Sequence, residues 1–490
     1  MKKVFAIILS ALLIVQLFVS CNSDGSVDEA FNCTITFNGN GATEGEMSAQ
    51  TVGRGVGTRL NTNTFGRFCF IFIGWDTEAD GTGTPYSDNQ NISFTESTTL
   101  YAQCELNPLI LSEEMTSWVD GGYYLLNNDV SFEERITVSG DVTLILADGY
   151  KLTASRGISV NEGNNLTIVA GGEGTGILEA TGIGYEAGVG GDDEHNSGTI
   201  TINGGTVNVS STYYGAGIGG GCNGSGTVVI NGGIVTVTNE DWGAGIGGGC
   251  QGSGTITING GTVNVTSTRW GAGIGGGCQG SGTITINGGT VTSGGKYYAA
   301  GIGGGSEGNG TVIINGGTVN ASAEGAGAGI GGGTEGSGTI TINGGTVNAS
   351  AKSGGAGIGG GRSSSGRSIG NVTVNGGRVI ASAVNGGAGI GGGQQGSCGT
   401  IIINDGTVEA SAENGAGIGG GFSEAGGTVT INGGIVKASS DSGVGIGMGY
   451  DGYDNGTLTL GKGVVLEVST DNANWSDYNG ETRDRYMRTK

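Results

Sequence analysis

The chain has 490 residues, of which 113 are glycine and only 2 proline, and charged residues make up 13%. Glycine at that level without a G-X-Y register excludes collagen, and its recurrence at set places among Ile, Val and Thr argues for an ordered repeat rather than disorder. A formal net charge of −23 disfavours nucleic acid and anionic lipid as partners, while leaving cations and neutral sugars.

Residues 1–21 read as an export signal. Lys2 and Lys3 precede an almost wholly apolar run over residues 4–19, too short for a retained span. The run closes on Leu17, Phe18, Val19, Ser20 and Cys21. Small residues before a cysteine resemble the lipobox of bacterial lipoproteins, with Phe18 where Leu is usual. The resemblance implies lipidation at Cys21 and a surface-exposed, membrane-anchored protein of the bacterial cell envelope. More than one acyl chain is what makes such an anchor stable. Residues 22–31 (NSDGSVDEAF) are polar and acidic and suit a tether.

Residues 32–104 have a different texture. The run 33–37 (CTITF) alternates at period two and meets a turn at 38–41 (NGNG); 70–75 (FIFIGW) and 99–103 (TLYAQ) are further strands. The segment FIGWDTEADGTGTPY followed by TTLYAQ resembles the Listeria–Bacteroides repeat, a β-grasp-like module of bacterial surface proteins, with Cys104 where that family usually ends in Trp. The resemblance implies a spacer or adhesion role without chemistry. Of eight cysteines, all but Cys21 would remain free to pair, an odd number for an oxidising compartment. Cys33 and Cys104 bracket the domain and could staple it, unless the first and last strands run parallel and hold them apart.

Residues 105–198 are expected to form an irregular cap and the first coils, with Trp118, Tyr123 and Tyr124 near the open end. Over 199–463 the pattern TITINGGTVNVTS…GAGIGGG recurs nine times, its marker Ile falling at 218, 246, 274, 302, 330, 358, 390, 418 and 446. Each step is 28 residues except one of 32, where RSSSGRS (362–368) inserts a bulge. Ile256 and Ile258, Val263 and Val265, and Ala272 and Ile274 each alternate with small or polar residues, so one apolar face turns inward three times per unit. No unit could bury a core alone. The expected fold is all-β: the small domain, then a three-sided right-handed parallel β-helix of 11 to 13 coils, about 55 Å long at the ~4.8 Å strand spacing. Residues 464–490 carry Leu466, Val468, Trp475, Tyr478 and Tyr486 among mixed charges and read as a C-terminal cap.

Several columns run along the stack. The Asn of each INGG block can pass amide hydrogen bonds from coil to coil, a structural ladder. Tyr214, Trp242, Trp270 and Tyr298 stand four residues before successive marker Ile residues, and Tyr185 holds the same offset from Val189. Later coils carry Ala326, Gly354 and Gly386 there. Such a strip is either a platform for the apolar faces of successive sugars or a structural stack; strand alternation from Ile274 would turn Trp270 inward, and a corner at Gly271 would turn it out. Cys222, Cys250 and Cys278 form a second column without His or acidic partners, which favours buried thiols over a soft-metal site. The acidic run Asp192, Asp193 and Glu194 is the candidate Ca²⁺ site, without a strict calcium-loop pattern, and no other cofactor is implied. His195, the only histidine, follows it in a loop.

The repeats offer Thr, Asn, Gly and Ser on their outer faces, and charges such as Glu240, Asp241, Arg269 and Lys296 sit in variable corners; Asp241 and Arg269 are expected to pair across coils. No constellation suited to acid–base or paired-carboxylate work is present, so the protein is expected not to be an enzyme. The Gly-Ala-Gly-Ile-Gly-Gly-Gly repeats over 110–490 are similar to bacterial carbohydrate-binding β-helix proteins, which implies binding of polysaccharide or host glycans without cleavage. The competing expectation is a structural adhesin shaft or spacer that contacts protein and has no sugar site.

Overall fold

The computed structural model describes residues 32–366, 368–480 and 484–490; the expected signal, Cys21 and the tether lie outside the described residues. The chain divides into two units, one ending at Glu105 and the other starting at Leu106.

In the first unit five strands lie in the order Gln50–Gly53, Asn32–Asn38, Thr98–Leu106, Phe70–Asp76, Pro85–Tyr86, and a ribbon pairs Thr58–Arg59 with Asn91–Ile92. Alternation in the first strand sends Cys33, Ile35 and Phe37 inward. They meet Trp75, whose ring lies 4.9 Å from Phe37, 5.0 Å from Phe72 and 6.2 Å from Phe65. The first and last strands are parallel, with Ile35 opposite Thr98 and Phe37 opposite Leu100. That register places Cys104 eight residues beyond the partner of Cys33, roughly 26 Å along the strand, far outside the ~7 Å Cα reach of a disulfide. The staple does not form, and both thiols are free.

The second unit is a parallel β-solenoid. Each coil gives one strand to each of three sheets, which hold 14, 15 and 13 strands among the described residues. One coil comprises Gly254–Ile258, Thr262–Ser267 and Ile274–Gly275. Each residue sits over its repeat mate: Ile256 pairs with Ile284, Val263 with Val291, Ile274 with Ile302. The inward side chains therefore form one continuous apolar core from Leu111 to Met487. The INGG corner turns through Gly261 at φ +82°. Within the insertion, Ser363 and Ser365 reach Glu335, whose carboxylate accepts hydrogen bonds from Ser363 Oγ (2.9 Å) and Ser365 Oγ (3.0 Å).

At the N-terminal end Trp118 is buried and stacks on Tyr124 at 5.3 Å. At the C-terminal end the chain abandons parallel pairing. Leu466–Ser469, Ser476–Asp477 and Tyr486–Thr489 form an antiparallel meander, and its last strand lies antiparallel on Ile435–Ser440. Leu466, Val468 and Met487 close the core there.

Candidate functional site

The aromatic residues project from the corner between the second and third strands of each coil. Backbone bonds hold successive corners in register: Trp242 N donates to Tyr213 O (3.0 Å), Trp270 N to Asp241 O (3.0 Å) and Tyr298 N to Arg269 O (3.3 Å). From the other side, Cys250 N donates to Tyr214 O (2.8 Å) and Cys278 N to Trp242 O (2.9 Å). The thiols of Cys222, Cys250 and Cys278 pack against Tyr214, Trp242 and Trp270 as a cluster separate from the solenoid core.

The rings lie one above another. Centroid spacings along the column are 4.9 Å for Tyr185–Tyr214, 5.7 Å for Tyr214–Trp242, 4.9 Å for Trp242–Trp270 and 4.4 Å for Trp270–Tyr298, with interplanar angles of 9°, 32°, 8° and 24°. Of the readings the sequence left open, the arrangement matches the outward turn at a corner and the structural stack, not the inward turn that strand alternation from Ile274 would give. The rings are outside the core, yet the inner three turn their faces to one another, so no flat platform for consecutive sugars forms. The end members are the most exposed, Tyr185 at 49% and Tyr298 at 40%.

Two further rings escaped the periodicity because they are not in every coil. Tyr213 packs edge-on against Tyr214 at 4.2 Å, and Tyr297 lies 6.4 Å from Tyr298. The paired tyrosines at 213–214 and 297–298 were the available signal. The hydrogen bond with Tyr213, then burial, pushes the Tyr214 hydroxyl up to about 12.

Beyond Tyr298 the column stops. Ala326 and Gly354 occupy the next positions, and beside Ala326 opens a solvent-exposed hollow of about 590 Å³, lined by Lys296, Tyr297, Tyr298, Glu324, Ser353 and Arg362. Lys352 pairs with Glu324 at 3.5 Å, whereas Lys296 and Arg362 make no ion pair among the described residues. Sequence periodicity showed the small residues that end the column but not the hollow beside them, in which Arg362 stands four residues after Ile358, the position that Cys222, Cys250 and Cys278 hold in earlier coils.

The candidate Ca²⁺ trio is not a converging site. Asp192 gives one carboxylate oxygen to Arg135 Nε (2.7 Å) and the other to Ser159 Oγ and Asn161 Nδ2 (both 2.8 Å). Burial opposes its ionisation, but the hydrogen bonds from Asn161 and Ser159 and the Arg135 charge prevail and hold the carboxyl below its ordinary range. Asp193 and Glu194 are exposed, and His195 Nδ1 lies 2.7 Å from the backbone oxygen of Asp193. Among the described residues no three His, Cys, Asp or Glu side chains converge as metal ligands. Burial, then the neighbouring Cys250, pushes the Cys222 thiol up to about 11. Arg269 and Asp241 lie 3.6 Å apart across coils.

These features define a small β-domain followed by a parallel β-solenoid with an aromatic corner. Residues 34–103 match the family model of the Listeria-Bacteroides repeat domain. Nine segments, from 200–222 to 429–450, match that of the beta helix repeat. The chain is thus a beta helix repeat protein headed by a Listeria-Bacteroides repeat domain. No significant match occurs among curated proteins or solved structures.

Proposed function

We propose that this protein is a non-catalytic, lipid-anchored protein of the bacterial cell surface that binds polysaccharide or host glycans at the aromatic corner of its β-helix. The observation that carries the reading is the column itself: five stacked rings break an otherwise small-residue surface and end in an open hollow under Tyr298. Aromatic faces and edges beside polar groups are the common chemistry of sugar recognition, with the apolar ring body excluding water and the hydroxyls finding polar partners. The absence of catalysis is read from the outer faces, where Thr, Asn and Ser predominate. Cys21 would carry the anchor.

Glycan-array binding by the purified protein, with and without calcium, tests this reading beside Tyr298→Ala and a Trp242→Ala/Trp270→Ala double variant. Binding that falls in Tyr298→Ala supports the corner as the site. Silence of the unaltered protein across neutral and acidic glycans would leave the second reading, a structural shaft, which the mutual stacking of Tyr214, Trp242 and Trp270 favours.

A further inference from the structure

We propose that the break in the column at Ala326 is a slot for a single carboxylate-bearing pyranose, which enters edge-on from a chain end or branch and completes the stack as its sixth ring. The proposal rests on the glycan-binding reading and specifies its site, ligand class and mode. Ala326 holds the column position with the backbone of its predecessors: its N donates to Tyr297 O at 2.8 Å, as Trp270 N does to Asp241 O. Only the ring is missing.

The far wall of the slot is Arg362. Its N donates to Ala326 O at 2.8 Å, and its Cδ lies 3.3 Å from where a Cβ on Gly354 would stand, beside Gln394 Oε1 at 2.9 Å, so the Arg362 stem and the Gln394 side chain together cover the Gly354 position. Tyr298 and that stem are separated by two coil rises, roughly 9.6 Å, with the vacant level about 4.8 Å from each. That half-gap falls within the 4.4–5.7 Å centroid spacings of the column itself. A pyranose there would lay its C–H face on Tyr298.

Charge sets the rest of the chemistry. In a chain of net charge −23, the hollow brings together Lys296 and Arg362, neither in an ion pair among the described residues, while its one carboxylate, Glu324, is held by Lys352. A guanidinium beside an ammonium suits a carboxylate, which Arg can grip through two parallel bonds. The rings upstream turn their faces to one another, so the ligand has no aromatic track to follow. One sugar enters, and it must be one whose edge is free.

The test uses the full protein and three trisaccharide probes: one with a terminal glucuronate, the same compound with its carboxyl reduced to the alcohol, and one with the glucuronate internal. Titration calorimetry should give binding to the first and about tenfold or weaker binding to the other two, the scale of one charge-assisted hydrogen bond. Ala326→Trp supplies the sixth ring from the chain, so it should abolish binding without lowering the melting temperature; Arg362→Gln should erase the preference for the acid over the alcohol. Unchanged affinity in Ala326→Trp overturns the slot. Glycan-array binding by the unaltered protein with no affinity for the terminal glucuronate overturns the slot and leaves the glycan reading standing, whereas silence in both assays removes both. Binding of 4-hydroxybenzoate with none of the sugars overturns the ligand class.

Discussion

Gly275 shows how closely the coils approach at their narrowest face. Its φ is +139°, and a Cβ there would stand 1.9 Å from the carbonyl oxygen of Gly303, the same residue one coil on. Any side chain must push two coils apart. Gly163, at φ +88° with no atom within 4 Å of the place a Cβ would take, meets only backbone strain. Gly163→Ala should therefore cost about 1–2 kcal/mol, the left-handed penalty for an L-residue, and Gly275→Ala distinctly more, through a steric clash that repacking cannot relieve. Equal shifts in urea unfolding would show that coil contact is not what requires glycine at 275. The sequence displays both glycines; only the distance between coils separates the obligatory one from the permissive. The thiol column yields a pH prediction at the same scale. Cys222 has its pKa raised from 9.0 to about 11, chiefly by burial, so the folded state favours the neutral thiol. The resulting stability is complete below pH 9 and is lost as pH rises through about 11. Melting temperatures measured from pH 8 to 11 should fall in this window, and less steeply in Cys222→Ala; parallel curves would remove Cys222 as a cause.

Two ladders tie coil to coil at the next scale. Asn287 donates to Asn259 Oδ1 and accepts from Asn315 Nδ2, both at 2.7 Å, whereas Asn432 donates to Asn404 at 2.8 Å with Gly461 next along the same edge. Each such bond contributes about 0.5–1.5 kcal/mol net, so Asn287→Ala should destabilise about twice as much as Asn432→Ala in urea titration. A larger effect at 432 would mean that the ladder is not the sum of its rungs. The aromatic column obeys the same count. Trp270→Ala removes two stacked pairs and Tyr185→Ala one, at about 0.5–1.5 kcal/mol per pair beyond area burial; matching melting temperatures for the two variants would argue against stacking as the stabilising term. Both ladders were legible in the sequence as positions, because a 28-residue period puts equal residues at equal heights. Ring orientation was not. Strand parity assigns a residue to a face only while the backbone stays extended, and Trp270 sits in a corner loop between Thr262–Ser267 and Ile274–Gly275.

Across the whole solenoid, what the repeat dictates was legible and what lies outside it was not. Core positions such as Ile256, Val263 and Ile274 followed from alternation, and coil register followed from the period. The partner of Asp192 did not, since Arg135 lies 57 residues upstream in irregular coils where no period relates them. The ends pose the general problem of a parallel stack, whose last strand offers unpaired backbone groups to any similar edge. Here the edge of Ile435–Ser440 is covered by an antiparallel strand that places Arg488 opposite Lys437 and Met487 opposite Ala438. Arg488 is fixed in turn by Glu467 at 3.0 Å and by the ring of Trp475 at 3.9 Å. Removing residues 464–490 would uncover that edge and the core beneath Met487, while the complementary edge of the same sheet lies at Val130–Phe132. Joining one copy's C-terminal edge to another's N-terminal edge is a head-to-tail contact that does not close on itself, so association should grow with concentration rather than stop at a dimer. Sedimentation velocity of the truncated chain should show a ladder of oligomers where the full chain at equal concentration shows none. A truncated chain that stays monomeric would place the protection elsewhere, and Met487→Asp, which keeps the strand but charges its buried face, would then identify whether core closure or edge pairing is the part that matters.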